Sequence, residues 1–220
     1  MMKIVQCWDD GVEDDIRLCE LLREKGAKAS FNINPGFAGA QRVCHWRYND
    51  CKDVVRLAKP ELPAVYNGFT IANHSVTHPW PTRIPIAEWR REVSDGRRQL
   101  QDIFGQPVLG FAYPYGDTNA ATAEAVQDAG HVYARICSNA TPCFPPADPM
   151  LFAADCHHAD PGFWERYAKA KAANAGVFYF WGHSYEFVTA ADWQVFSDKL
   201  DRFNADPDAV WAELPDLFVK

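Results

Sequence analysis

From Lys3 to Trp8 the chain reads KIVQCW, a short, mostly apolar and β-prone run, and Asp9-Asp10-Gly11 follows at once. That pattern predicts a buried strand closed by a turn, with both acids at its carboxyl end. Between Asp14 and Lys25 the apolar positions Ile16, Leu18, Leu21 and Leu22 recur at near-helical spacing, and Gly26 stands where a helix-stopping glycine is expected. KASFNIN reads as a second strand and NGFTIAN as a third, the latter running directly into His74. A longer helix is predicted over PIAEWRREVSDGRRQLQDIF, with Pro85 near its start and Gly105 just past its end.

The second half repeats the alternation. VLGFAYP reads as a strand, NAATAEAVQDAG as a helix and HVYARI as a strand, followed by a loop through SNATPCFPPADP in which Pro145-Pro146 excludes regular structure. After LFAAD come a helix in GFWERYAKAKAANAG, a strand in VFYFWGHS that carries His183 to its end, and a last helix in AADWQVFSDKLDRF. Strands and helices in this order predict an α/β fold, a mostly parallel sheet wrapped by helices, in one domain over residues 1–220. Asp9, Asp10, His74, Tyr115 and His183 all fall just after strands. A barrel gathers its active-site residues at that rim, and an open doubly wound sheet does so at its switch point. The chain has neither a GxGxxG nor a Walker loop to support a nucleotide site.

Composition narrows the partners. The 220 residues, 48% of them hydrophobic, suffice for one compact core. A formal net charge of -7 without any Lys/Arg cluster argues against nucleic acid, whose binding draws on many cationic contacts. Aromatic residues are plentiful, at 8 Trp, 8 Tyr and 14 Phe; they suit the flat faces of sugars and equally serve to fill a core. The 7 cysteines are odd in number and form no CxxC pair, so reduced thiols are expected. The N-terminal apolar run is too short for a signal segment and no later run approaches a membrane span, so a soluble, cytoplasmic protein is expected.

HSVTH places His74 and His78 four residues apart, one helical turn, where both imidazoles can face a single ion. A carboxylate from the DDG turn would complete a three-ligand site with open positions, the arrangement of a catalytic rather than a structural metal. At a fraying strand end Asp9 and Asp10 can take different orientations, so one can bind the ion while the other accepts a proton from a water that the ion polarises. His183 in FWGHS is the candidate proton donor to a leaving group, since imidazole both carries and releases a proton near neutrality.

DDG after the first strand, HSVTH, FAYPYGD at residues 111–117 and a strand-end His in FWGH stand in the order found in the polysaccharide deacetylases, and the chain resembles that family, carbohydrate esterase family 4 or the NodB homology fold. The resemblance implies a distorted (β/α) barrel in which Asp9 is the base, Asp10, His74 and His78 hold zinc, cobalt or another divalent ion, and His183 is the acid. It also implies that the backbone N–H of Tyr115 helps stabilise the tetrahedral oxyanion and that the Tyr115 ring lines the sugar pocket. Two departures stand out. The arginine usual before PYG is Ala112 here, and Arg135 in the next strand is expected to reach the same carboxylate, with Asp155 joining the pairing. The segment ADCHH, Asp155 to His158, lacks the tryptophan usual there, and His157 or His158 could line the groove instead.

The implied activity is metal-dependent removal of an N-acetyl group from a GlcNAc-type saccharide. Hydrolysis of a small non-sugar amide, ureide or cyclic imide on the same fold is the nearest alternative, favoured by a closed pocket. A carbohydrate-binding protein with impaired catalysis is the other, favoured by the absent arginine.

Overall fold

The computed structural model describes residues 1–139 and 144–218; part of the proline-rich loop expected over 138–149, Cys143 included, lies outside the described residues. At the centre is β1 (Met2–Asp9), flanked in parallel by β2 (Ser30–Ile33) and β10 (Val177–Gly182). Beyond β2 the sheet continues through β5 (Thr70–Asn73), β6 (Gly110–Ala112), β7 (Tyr133–Asn139) and β8 (Phe152–Ala154), every pairing parallel. Beyond β10 lies β9 (Cys156–His157), again parallel. β8 and β9 are pieces of one extended run interrupted at Asp155, whose N–H donates to the Tyr179 carbonyl at 2.7 Å. One segment thus joins the two ends of the sheet and makes it a nearly closed parallel barrel, the expected α/β class. β11 (Ala209–Trp211) lies beside the start of β1, on the flank that β2 takes nearer its end.

Strand periodicity explains the two faces. Ile4 and Trp8 of β1 pack outward against helices, while Val5 and Cys7 join Tyr133, Tyr179 and Phe152 inside the barrel. Asp9 follows the parity of Val5 and Cys7 and so belongs to the interior face at the upper rim. The outer layer is built from α1 (Asp15–Glu24), α2 (Leu62–Val65), α3 (Ile86–Phe104), α4 (Ala120–Asp128), α5 (Phe163–Ala172) and α6 (Ala190–Asn204), with α7 (Pro215–Phe218) near the chain end. In α3, Gly96 sits mid-helix because a Cβ there would come within 2.5 Å of Asn73 Oδ1. That close approach lets Asn73 Nδ2 donate to the Val93 carbonyl at 2.9 Å, fixing the residue before His74 on the helix.

The predicted strands and helices correspond to observed ones, but a hairpin was not foreseen. β3 (Val43–Tyr48) and β4 (Lys52–Arg56) pair antiparallel around Asn49-Asp50, both at positive φ (48° and 55°). That is the backbone of a type I′ turn, and alternation of Cys44, Trp46 and Tyr48 with His45 and Arg47 was its legible signal. Trp46 and Tyr48 pack on Val12, Val54 and Tyr185 and so dock the hairpin beside the DDG turn. Among the described residues no helix is long and apolar enough to cross a membrane.

Candidate functional site

The rim gathers the residues singled out by sequence. Asp10 lies just past the end of β1, with φ at 90°, and Gly11 follows at 71°; the chain turns through two consecutive left-handed residues, which throws the Asp10 carboxylate away from the strand's alternation. Asp10, His74 and His78 each present one donor atom, all within 4.8 Å of one another. His74 follows β5 directly, whereas His78 arrives through an irregular loop. HSVTH is not the helical turn expected of it: Ser75 and His78 have φ of 64° and 54°, and the loop is tied by His78 N–H donating to Ser75 Oγ at 3.0 Å. The loop brings the rings together by folding back on itself.

Chemistry at the two imidazoles suits a cation. His74 Nδ1 lies 2.7 Å from the Ala112 carbonyl, which takes its N–H and leaves Nε2 with a lone pair. His78 Nε2 sits 3.1 Å from that same Nε2. Burial holds both rings below the ordinary imidazole range despite the nearby Asp9 and Asp10 charges, His78 at about 3, so both are neutral and available as donors. Asp10 is buried too; burial pushes its carboxyl up, but the charges around it, Arg56 foremost, bring the net shift down and keep the group ionised. A neutral His pair with one carboxylate is a fitting set for a divalent ion.

Asp9 sits beside this cluster, 4.0 Å from His74 Nε2 to Oδ2, and is only 2% exposed. Asn32 Nδ2 donates to its Oδ1 at 2.6 Å, and Arg135 Nη2 donates to Oδ2. Burial pushes the Asp9 carboxyl up, yet Arg135, followed by His74 and His183, drives it well below the usual carboxylate range. Arg135 reaches Asp9 because β6 and β7 run parallel with Ala112 opposite Arg135. Register partners on neighbouring strands share a face, so this guanidinium enters from one strand further along the interior of the barrel. Asp155 does not join the pairing as expected: its Oδ2 accepts the Tyr179 N–H at 2.8 Å, a bond imposed by its place at the break between β8 and β9.

His183 follows β10, with Nε2 3.9 Å from Asp10 Oδ2 and Nδ1 3.1 Å from Glu186 Oε1. Burial lowers the imidazole, but the Glu186 bond and the Asp10 and Asp9 charges reverse that, and its net shift is upward. Glu186 is a residue that sequence reasoning passed over. Its Oε2 also meets His157 Nε2 at 3.0 Å and His158 Nε2 at 2.7 Å. Although these three could in principle surround a second ion, His157 Nδ1 accepts the Ala159 N–H at 3.2 Å, which places the ring proton on Nε2 and points it at Glu186. We read the group as a hydrogen-bonded hub beneath His183, and burial, overcome by the three imidazoles, leaves Glu186 firmly ionised. The spacing His183-x-x-Glu186 was its only local sequence signal.

Tyr115 occupies the turn after β6 with φ at 59°, half exposed. Its ring stacks on Trp80 at 4.0 Å and meets His78 edge-on at 4.5 Å. Between this pair and the hairpin opens a cavity of about 340 Å³, with Asp10 and His78 at its base and Phe37, Trp46, Arg56 and Tyr185 along its wall.

A family model described as polysaccharide deacetylase matches residues 2–134. No curated protein matches the chain. Among solved structures, Streptococcus pyogenes deacetylase PplD, determined with acetate, is 17% identical over 67% of this chain and 61% of its own, with a TM-score of 0.55. The Bc1960 peptidoglycan N-acetylglucosamine deacetylase is 14% identical over 98% of this chain and 87% of its own, at a TM-score of 0.59. BA3943 of Bacillus anthracis, described as a pseudoenzyme of carbohydrate esterase family 4, is 13% identical over 98% of this chain and 64% of its own, at 0.63. The chain therefore spans less than two thirds of PplD and of BA3943. At such identities these likenesses establish the fold.

Proposed function

Because this chain belongs to the polysaccharide deacetylase family, we propose that it is a metal-dependent hydrolase that removes an N-acetyl group from a GlcNAc-type saccharide. The observation that carries the reading is the convergence of Asp10, His74 and His78 within 4.8 Å, with Asp9 on one side and His183 on the other. Asp10, His74 and His78 would hold the ion, zinc, cobalt and other divalent ions all accepting this donor set. When bound, a divalent ion supplies Lewis acidity to the attacking water and to the amide carbonyl. Asp9, held ionised by Arg135 and Asn32, takes the proton of the attacking water. The Tyr115 N–H donates to the oxygen that becomes negative as the carbonyl carbon turns tetrahedral. His183, its Nδ1 proton held by Glu186, gives a proton from Nε2 to the departing amine. The exposed Tyr115–Trp80 stack offers a flat apolar face for a sugar ring.

The impaired-catalysis reading drew its support from Ala112, where the family's arginine is usual. The Arg135–Asp9 pair weighs against that reading, as do the candidate base and acid, which a binder would not need. Hydrolysis of a smaller amide keeps one supporting observation, since a cavity of about 340 Å³ is near the lower end of ligand-site sizes. Acetate release from chitooligosaccharides and peptidoglycan fragments, run beside ammonia or amine release from small amides, separates the two. Purified protein is expected to carry one divalent ion, to lose activity to a chelator and regain it with zinc or cobalt. Asp9→Asn is expected to keep the ion while losing most turnover, on the order of 10²-fold or more. Full activity in the metal-free protein would sink the scheme.

A further inference from the structure

The hairpin supplies an arginine to the cation cluster. Arg56, the last residue of β4, is 4% exposed and lies between two rings, its guanidinium carbon 4.8 Å from the Phe37 centroid and 4.9 Å from that of Trp46. Nη1 donates to the backbone carbonyl of Asp10 and, at 3.3 Å, to Asn34 Oδ1; Nη2 donates to Asp10 Oδ1 at 3.2 Å. One side chain therefore grips both the peptide carbonyl and the carboxylate of the same residue. That residue has φ at 90°, where an L side chain is strained and needs outside support to stay. The neighbouring backbone is tied to the same strand end, with Glu13 N–H on the Val55 carbonyl at 2.8 Å and Leu57 N–H on the Gly11 carbonyl at 3.3 Å.

Resting on the reading of Asp10, His74 and His78 as a divalent-cation site, we infer that Arg56 is the positioning residue of that site. It fixes the turn of Asp10 and occupies Oδ1, leaving Oδ2, which faces His183, as the oxygen offered to the ion. Two effects of the guanidinium oppose each other. Its positive charge weakens the pull of the carboxylate on a cation, while its two-pronged grip holds the site's one anionic donor in place. Grip prevails here, because the charge acts through an intervening carboxylate whereas the orientation has no comparable substitute: among the described residues the other tie on the Asp10 backbone is the Asn32 carbonyl, 2.9 Å from the Asp10 N–H.

The test measures cation affinity, without reference to turnover. Titration of the metal-stripped full chain with Co2+, followed by visible absorption, and with Zn2+ against a chromophoric chelator, compares wild type with Arg56→Lys, Arg56→Gln and Asp10→Ala. Lys keeps the charge and Gln removes it, but neither spans the carbonyl and carboxylate together. Both are expected to bind roughly 10- to 100-fold more weakly, with an altered Co2+ spectrum. Wild-type affinity in folded Arg56→Lys, or wild-type or tighter affinity in folded Arg56→Gln, overturns the inference and makes Arg56 a charge only. If neither variant folds, Trp46→Ala, which loosens the sandwich while leaving the Arg56 and Asp10 side chains themselves unchanged, must weaken binding in the same direction; unchanged affinity there also overturns it. Absence of cation uptake by wild type, or undiminished uptake by Asp10→Ala, instead sinks the site reading on which the inference stands.

Discussion

Ala112 and Arg135 are register partners on adjacent parallel strands, and Arg135 reaches from that place to Asp9. A side chain on β6 at the position of Ala112 would enter the same interior face one strand closer to β5. A guanidinium from either position is therefore directed into the same interior. Arg135→Ala is expected to lower kcat for acetate release on the order of 10²-fold, because an unpaired buried Asp9 either takes up a proton or turns away. Adding Ala112→Arg to that variant is expected to recover at least about a tenfold share, by supplying the charge from the neighbouring strand. Unchanged turnover in Arg135→Ala would show the pair to be only structural, and failure of the double variant to recover would show that the origin of the charge matters.

Glu186 makes a separate prediction about pH. Apart from burial, its hydrogen bond is the foremost influence on His183 and raises the imidazole. An acid that must be protonated to act loses rate as pH rises through its pKa, so a lowered pKa moves the alkaline limb of kcat toward lower pH. Glu186→Gln removes the charge while keeping a hydrogen-bond acceptor for Nδ1, and the limb is expected to shift that way with KM little changed. A limb that stays in place, measured on the same substrate, would take His183 out of the acid's role or Glu186 out of its support.

The parts read from sequence and the parts missed differ in how local their causes are. β1, α3, β10 and the other barrel elements announce themselves through apolar periodicity and punctuating Gly and Pro, and the DDG, HSVTH and FWGH segments lie where those elements end. The two imidazoles of HSVTH were rightly paired for the wrong reason, since left-handed Ser75 and His78, rather than a helical turn, bring them together. Arg135 could be anticipated only from a resemblance, because nothing within HVYARI says which carboxylate lies across the barrel. Arg56 and Glu186 were missed for that same cause: each acts on a partner set by tertiary packing, 46 residues away in sequence for Arg56 and Asp10. Asp155 shows the converse, an acid near Arg135 in the sequence pattern that the strand break commits to backbone instead.

Away from the site, His131 ties stability to pH. It is 3% exposed, its Nε2 accepts from Asn73 Nδ2 at 3.2 Å, and its ring lies against Phe111. Burial, with a smaller contribution from the Arg97 charge, pushes the imidazole down to about 3. Its pKa in the unfolded chain is about 6.5. Between those values the unfolded state binds the proton that the folded state refuses, so the stability contributed by neutral His131 is complete above the unfolded pKa and is lost as pH falls toward the folded one. Each unit of pH well inside that window costs about 1.4 kcal/mol through this one group. His131→Gln keeps an acceptor for Asn73 but cannot titrate, so it is expected to be less stable than wild type at pH 7 and to lose less on acidification. Urea unfolding at pH 7, 6 and 5 reads the difference, and the gap between the two proteins should narrow by roughly 1 kcal/mol per unit below pH 6. Parallel stability curves would mean that the buried ring accepts its proton in the native state, contrary to the burial that isolates it.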